Sequence, residues 1–174
     1  MIREYTSGDA RATLDVFERA ILVTARSFYA PDQLRAWVGT RGPDQWNAQR
    51  LAQHTLVADE GGRVVGFLGY DDTGLVDMLF VDPGCARRGI GTSLLDAALT
   101  GIADRDIPEV RTWASLAARP FFEHHGFVTV RPHIAVVSGV ALDNALMRRS
   151  LADPAPVHPE AVHEGRGEPG EQHS

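Results

Sequence analysis

The stretch from Leu75 to Ala103, LVDMLFVDPGCARRGIGTSLLDAALTGIA, constrains the fold more than any other. Leu75 to Val81 is apolar apart from Asp77 and reads as a largely buried strand. Asp82-Pro83-Gly84 ends it, because proline has no N–H for a ladder and glycine opens a turn. Arg87-Arg88-Gly89-Ile90-Gly91-Thr92 follows, and Ser93 to Leu99 then places its apolar residues on one helical face. A strand, a basic glycine turn and a helix in succession make a site for a phosphorylated ligand. The turn's N–H groups and the positive end of the helix dipole both face the anion. The two glycines let the backbone approach closely, and the two arginines add charge at the rim.

Three kinds of phosphate-binding turn compete for this stretch. A Walker A loop needs Gly-Lys-Ser/Thr, and the chain contains no lysine. A dinucleotide fingerprint, G-x-G-x-x-G/A, fails at Leu94, and the stretch lies in the middle of the chain. The third kind fits. Val81-Asp82-Pro83, the short loop, Arg87 to Gly91 and the amphipathic helix resemble the acyl-CoA motif of the GNAT superfamily of N-acetyltransferases. That motif is written Q/R-x-x-G-x-G/A, and its six positions are Ala86 to Gly91. Ala86 replaces the usual Gln or Arg, which removes one side-chain contact to a pyrophosphate and leaves the backbone contacts.

Length and composition set the outer bounds. A chain of 174 residues with 44% hydrophobic content suits one domain with a sizeable core. No apolar run approaches the roughly 20 residues of a membrane span. The start, MIREYTSGDA, has no apolar segment of a signal peptide, so a cytoplasmic protein is expected. A single cysteine, Cys85, excludes an internal disulfide and suits a reducing compartment. Its loop position allows either a reactive thiol or a passive small residue.

All 17 basic residues are arginine, against 23 acids. Five of the acids and one arginine lie from Leu151 onward, a net of −4, which leaves the body at −2. No basic stripe emerges, so nucleic acid is not expected as a partner. Residues 152–174, rich in Pro, Gly, Glu and His, cannot bury enough surface to order themselves and are expected to form an acidic disordered tail. The domain is therefore bounded at 1–151. His158, His163 and His173 have no metal-ligand spacing, and no metal is expected.

Taken in order, Ile2 to Tyr5 is a short strand, and Thr6 to Asp9 offers caps to a helix carrying Leu14, Val16, Phe17, Ala20, Ile21, Leu22 and Val23. Pro31-Asp32 starts a second helix through Leu34 and Trp37, and Asp44 to Gln53 is a third carrying Trp46. Thr55 to Ala58 and Val64 to Tyr70 form a hairpin around Glu60-Gly61-Gly62-Arg63. Leu75 to Val81 extends it to a meander. After the helix, Val110 to Ala114 returns beside that strand in parallel, as a βαβ unit requires. Phe127 to Val137 and Leu142 to Leu151 read as the last two strands.

Between them lies Ser115 to Phe127, which resembles the second GNAT motif, N-x-x-A-x-x-F-Y-x-x-x-G-F. Ala118, Phe121, Gly126 and Phe127 match it, whereas Ser115 stands for the usual Asn and Phe122 for the usual Tyr. The two motifs occur in the expected order, and the resemblance spans Ile2 to about Leu151. Ser27-Phe28-Tyr29 with Gln33 to Trp37, and Ala118 to Glu123, are similar to the YafP-like bacterial branch.

The resemblance implies an α+β fold: a central, mostly antiparallel sheet of six to seven strands with one parallel pair and helices on both faces. It implies acetyl transfer from acetyl-CoA to a primary amine, a small molecule or a peptide N-terminus, by direct attack in a ternary complex. Leu79, Phe80 and Val81 would line the acyl group and pair with the pantetheine arm. Arg87, Arg88, Gly89, Ile90, Gly91 and Thr92 would hold the pyrophosphate, and Ser115, Ala118, Phe121 and Phe122 would complete the cofactor site. Phe28, Tyr29, Trp37 and His133 are candidates for the acceptor pocket. For Trp37 and Trp46 a plain core role competes with that reading.

Phe122 cannot protonate a leaving thiolate, so Ser115, Tyr29 or water would have to serve. Asp77, an acid inside an apolar strand and on one pleat face with Leu75 and Leu79, is the candidate base and amine ligand. A salt bridge to an arginine is its alternative role. Phe122 and Ala86 also leave open a non-catalytic acyl-CoA-binding module. A homodimer is compatible with any of these readings.

Overall fold

The computed structural model describes residues 1–152, so the expected acidic tail lies outside the described residues. Seven strands form one sheet: β1 (Ile2–Glu4), β2 (His54–Glu60), β3 (Arg63–Tyr70), β4 (Leu75–Val81), β5 (Glu109–Ser115), β6 (Val128–Val137) and β7 (Val140–Ser150). Their order is β1-β2-β3-β4-β5-β7-β6, antiparallel throughout except for the central pair β4–β5. Helices α1 (Ala10–Arg19), α2 (Pro31–Val38) and α3 (Pro43–Leu51) precede β2, while α4 (Ile90–Ala103) and α5 (Arg119–His124) flank β5. This is the mixed sheet with one parallel pair that the sequence implied.

Each face of the sheet carries its own core. Leu94, Leu95, Ala98 and Ile102 of α4 pack on Val65, Leu68, Val76 and Val110. Phe17 of α1 and Trp46 of α3 pack on Val57 and Phe67 from the other side. Trp46 is fully buried and donates its indole N–H to the Thr13 hydroxyl at 2.9 Å, so it is a core residue. Burying such side chains supplies the main drive to fold, roughly 1.5–3 kcal/mol for each large apolar group.

The first helix departs from the sequence reading. Regular α-helix stops at Arg19, and Ala20–Thr24 continue as a π-helical turn, followed by a 3₁₀ turn at Ala25–Ser27. The wider π turn shifts the phase of the apolar face, which leaves Leu22 and Val23 exposed although the periodicity had counted them inward.

The start of α1 is pinned electrostatically. Arg3 grips both oxygens of Asp9 at 2.9 Å, and the Thr6 N–H donates to the same carboxylate at 2.8 Å. The Arg3 contact, aided by Thr6, outweighs burial and holds the Asp9 carboxyl below its usual range. A depressed folded pKa means stabilisation that is complete above the unfolded value, about 4, and lost as pH falls through the folded value. In thermal melts from pH 7 to pH 2, Asp9→Asn is expected to cost about 1–3 kcal/mol at neutral pH. It should also flatten the acid limb of the wild-type stability curve.

Candidate active site

The site begins where β4 and β5 separate. They pair only at Leu75–Arg111 and Val76–Thr112, after which the Thr112 hydroxyl takes the Val76 carbonyl at 2.9 Å. On the other side of β4 the register jumps: Tyr70 faces Val76, but Gly69 faces Met78. Asp77 is the extra residue of this bulge, and a bulge sharpens local twist and re-aims side chains. The expected pleat partnership of Asp77 with Leu75 and Leu79 is therefore broken. Leu79 packs on the α4 core, while Asp77 faces α3, 3.3 Å from Gln53 Nε2 and 3.9 Å from Arg50 Nη2. Gly69 makes room for this: a Cβ there would lie 2.7 Å from Gln53 Nε2 and 2.9 Å from Asp77 Oδ1.

Beyond the bulge, β4 pairs with β3 alone. The Asp82 N–H reaches the Val65 carbonyl, so the ladder's alternation turns the N–H groups of Leu79 and Val81 away from β3, toward the gap. Two cavities meet in that gap, of about 350 Å³ and 180 Å³. Trp37, Leu79, Phe80, Ser115 and Ala118 line both of them.

The larger cavity is a groove running to the start of α4. Leu79, Phe80, Val81, Arg87, Gly89, Ile90, Gly91, Thr92, Ser115, Ala118 and Phe121 line it. Arg87 (φ 60°) and Gly89 (φ 78°) both take left-handed backbone, which curls the loop tightly ahead of α4. Among the described residues, no N–H from Arg87 to Thr92 donates to another group, since the first intrahelical bond is Ser93 to the Gly89 carbonyl. Six free donors at a helix N-terminus suit a pyrophosphate.

Asp82 anchors this loop. Its carboxylate accepts from Gly84 N–H at 2.9 Å, Arg19 at 2.6 Å and Arg63 at 3.1 Å. Burial pushes Asp82 upward, and these three contacts more than reverse it. Arg88 behaves differently from Arg87: its guanidinium pairs with Glu60 at 2.9 Å and does not line the groove. The Thr92 hydroxyl meets His125 Nε2 at 3.1 Å, while His125 Nδ1 meets the Phe121 carbonyl at 2.8 Å.

The smaller cavity lies on the α1–α3 side, walled by Phe17, Trp37, Arg41, Asp77, Met78, Phe122, Ala135, Val137 and Leu142 to Asn144. Asp77 keeps about a third of its side chain in water (35%) but is crowded on its other sides. Burial raises its carboxyl above the usual range, with Arg50 and Gln53 opposing. Behind it Arg50 is 3% exposed, stacks on Trp46 at 4.8 Å, and leaves its Nε without a partner.

Tyr29 lines the smaller cavity, while Phe28 and His133 line neither. The Tyr29 hydroxyl donates to the Asp143 carbonyl at 2.5 Å and accepts the Leu116 N–H at 3.0 Å. Burial raises its pKa, and the two hydrogen bonds tie the helical layer to β7. Phe28 is 50% exposed and lines neither cavity, because the 3₁₀ turn directs it outward. His133 also lines neither; it stacks on Trp113 at 4.5 Å and bonds Asn144 at 2.8 Å, so it supports a wall residue. Phe122 closes the inner end of the small cavity and packs on Phe121 and Phe127. Ser115 accepts the Ala118 N–H at 3.1 Å, which leaves its own proton free where the cavities join.

The sequence reading missed Arg41, the π-turn residues Ala20, Ile21 and Thr24 in the groove, and the β6–β7 wall. Arg41 sits in a short loop with no periodicity, so nothing local marks it.

This cleft, on this sheet, defines an acyltransferase of the GNAT class, and residues 25–142 match the acetyltransferase (GNAT) domain family. The chain belongs to that family. It is similar to the uncharacterized N-acetyltransferase YafP of Escherichia coli K12, 33% identical over 147 residues that cover 84% of this chain and 93% of that one. It superposes on the GCN5-related N-acetyltransferase of Rhodopseudomonas palustris with TM-score 0.84 and 30% identity, covering 87% of this chain and 95% of that one. YncA of Salmonella typhimurium, solved with acetyl-CoA, shares the fold at TM-score 0.68 and 21% identity, covering 92% of this chain and 98% of that one.

If Tyr29 acts as a structural tie, Tyr29→Phe strands the Leu116 N–H and the Asp143 carbonyl. Urea unfolding should then show a loss of about 1–3 kcal/mol.

Proposed function

We propose that the protein transfers an acetyl group from acetyl-CoA to a primary amine, a small molecule or a peptide N-terminus, in a ternary complex. The observation that carries this reading is the continuity of the six free N–H groups at α4, the unpaired edge of β4 and the amine-sized cavity beyond it. Acetyl-CoA supplies the thioester. Arg87 and the N–H groups from Gly89 to Thr92 hold its pyrophosphate, and Val81 pairs with the extended arm.

The Leu79 N–H, turned into the gap, is the donor for an oxygen that gains negative charge; such donors are worth about 3–4 kcal/mol in acyl transfer. Asp77 binds the incoming ammonium and takes its proton, and its raised pKa suits that task. Phe122 has no proton to give, and Ser115 at the junction donates to the leaving thiolate. A thiol is a weak base, so this last assistance is small. Phe122 also favours a second reading, a module that binds the coenzyme without turnover. The protein is proposed to work in the cytoplasm, where the coenzyme is found.

Two measurements test this. Calorimetry should give a Kd for acetyl-CoA of about 1 μM or below. Gly89→Asp, which puts a side chain and a negative charge at a left-handed position, should weaken binding about tenfold or more while the fold is kept. Wild-type protein that fails to bind removes the proposal; protein that binds but releases no thiol with any amine supports the second reading. In the pH profile of kcat/KM, ionised Asp77 is the active form, so the rate should climb with pH through a pKa above the normal carboxyl range. Asp77→Asn should abolish that limb and lower kcat by about 10²-fold, with acetyl-CoA affinity unchanged.

A further inference from the structure

We infer that the small cavity holds a carboxylate against Arg41, so that the acceptor carries an amine and a carboxylate together, as an amino acid does. This rests on the acetyl-transfer reading and narrows its acceptor.

Arg41 lies between α2 and α3 and lines the cavity beside Phe17 and Trp37. Its Nη1 donates to the Trp37 carbonyl at 2.9 Å and to the Val38 carbonyl, capping the C-terminus of α2. Its guanidinium carbon sits 4.9 Å from the centre of the Phe17 ring. Those contacts occupy one nitrogen and one face of a planar group that has five N–H donors. Nε and Nη2 make no hydrogen bond, and no carboxylate among the described residues pairs with Arg41. Burial lowers its pKa with no acid to offset the penalty.

The neighbouring charges sharpen the point. Arg50 is close enough for Arg41 to lower its pKa as well, and Arg50 is already 3.9 Å from Asp77. Arg50 does not line this cavity, so Arg41 is the partly desolvated guanidinium on its wall. The other acid lining the cavity, Asp143, is exposed on β7 and forms no ion pair among the described residues. A half-buried cation without an acidic partner is offered to an incoming anion, and a planar carboxylate matches the free N–H fork of Arg41. Asp77 is left to take the ammonium. A diamine would suit Asp77 and Asp143 but would be repelled by Arg41, so the desolvated charge favours the zwitterion.

The test compares amino acids with their amides and with the corresponding amines lacking the carboxylate, following thiol release from acetyl-CoA. A free carboxylate should raise kcat/KM about tenfold or more. Arg41→Gln should bring that ratio close to one, and Arg41→Lys, which keeps charge and helix cap but loses the fork, should fall between. A second arm needs no turnover: calorimetry of CoA-saturated wild-type protein should show N-acetyl amino acids binding more tightly than N-acetyl amino amides. Amines acetylated regardless of a carboxylate, with no difference in the binding arm, overturn the inference while acetyl transfer stands. Release of no thiol with any amine overturns the transfer reading, and the binding arm then decides on the carboxylate alone.

Discussion

The parting of β4 from β5 after two paired residues is the constraint from which the cleft follows. Without it the sheet would close, and neither cavity would have an interior. The bulge at Asp77 over-twists β4, and the Thr112 hydroxyl takes the Val76 carbonyl at the last point of contact. From there β5 is satisfied by β7 along its whole length, from Glu109–Ser150 to Ser115–Asn144. β4 has no such second partner. An unpaired strand edge inside a protein leaves backbone groups without hydrogen bonds, which folds otherwise avoid. An extended, amide-bearing arm laid along that edge completes the ladder, much as added strands do in peptide recognition. The same break that costs backbone hydrogen bonds in the free protein therefore gives a ligand its register.

The bulge also decides where Asp77 lies. Regular alternation would have set Asp77 on the face of Leu79, against the aliphatic core under α4, where a carboxylate is expensive. One extra residue moves it to the opposite face, beside Arg50 and Gln53, with part of its surface in water. Gly69 is the matching concession on β3, since a Cβ there would lie within 3 Å of the Asp77 and Gln53 side-chain ends and displace them. Position and protonation are set by one local irregularity.

How much of this was legible in the sequence follows from how local each cause is. The glycine turn could be read because its residues are contiguous and each has a backbone reason to be there, as Gly89 shows at φ 78°. The hairpin and the parallel return were legible because alternation and chain direction leave few topologies. The bulge was not, because Leu75-Val76-Asp77-Met78 looks the same whether or not a residue is skipped; only the pairing with Gly69 and Tyr70 reveals it. The π turn was hidden likewise, since Ala20 to Val23 are the residues of an ordinary helix. The acceptor wall was least legible. It draws on α1, α2, the Arg41 loop, β4, β5, β6 and β7, and no short-range pattern encodes their meeting.

The misfits of the structure fall on that wall and directly behind it, where Arg50 lies 3.9 Å from Asp77. Among the described residues, the buried side-chain atom without a hydrogen-bond partner is Arg50 Nε, and Arg41 and Arg50 are both pushed toward losing charge by burial. Beneath α4 the core is aliphatic and aromatic with no such conflict. A sequence selected for stability alone would replace Arg50 with a large apolar residue, because well-packed hydrophobic groups match or exceed buried ion pairs. Polar groups kept in apolar surroundings at a cost to stability mark a place where function sets the terms. Here they lie on the side of the split where an acceptor must sit. The two faces of one sheet thus differ: the α4 face holds an aliphatic and aromatic core and the glycine turn, and the other face holds the buried and half-buried charges.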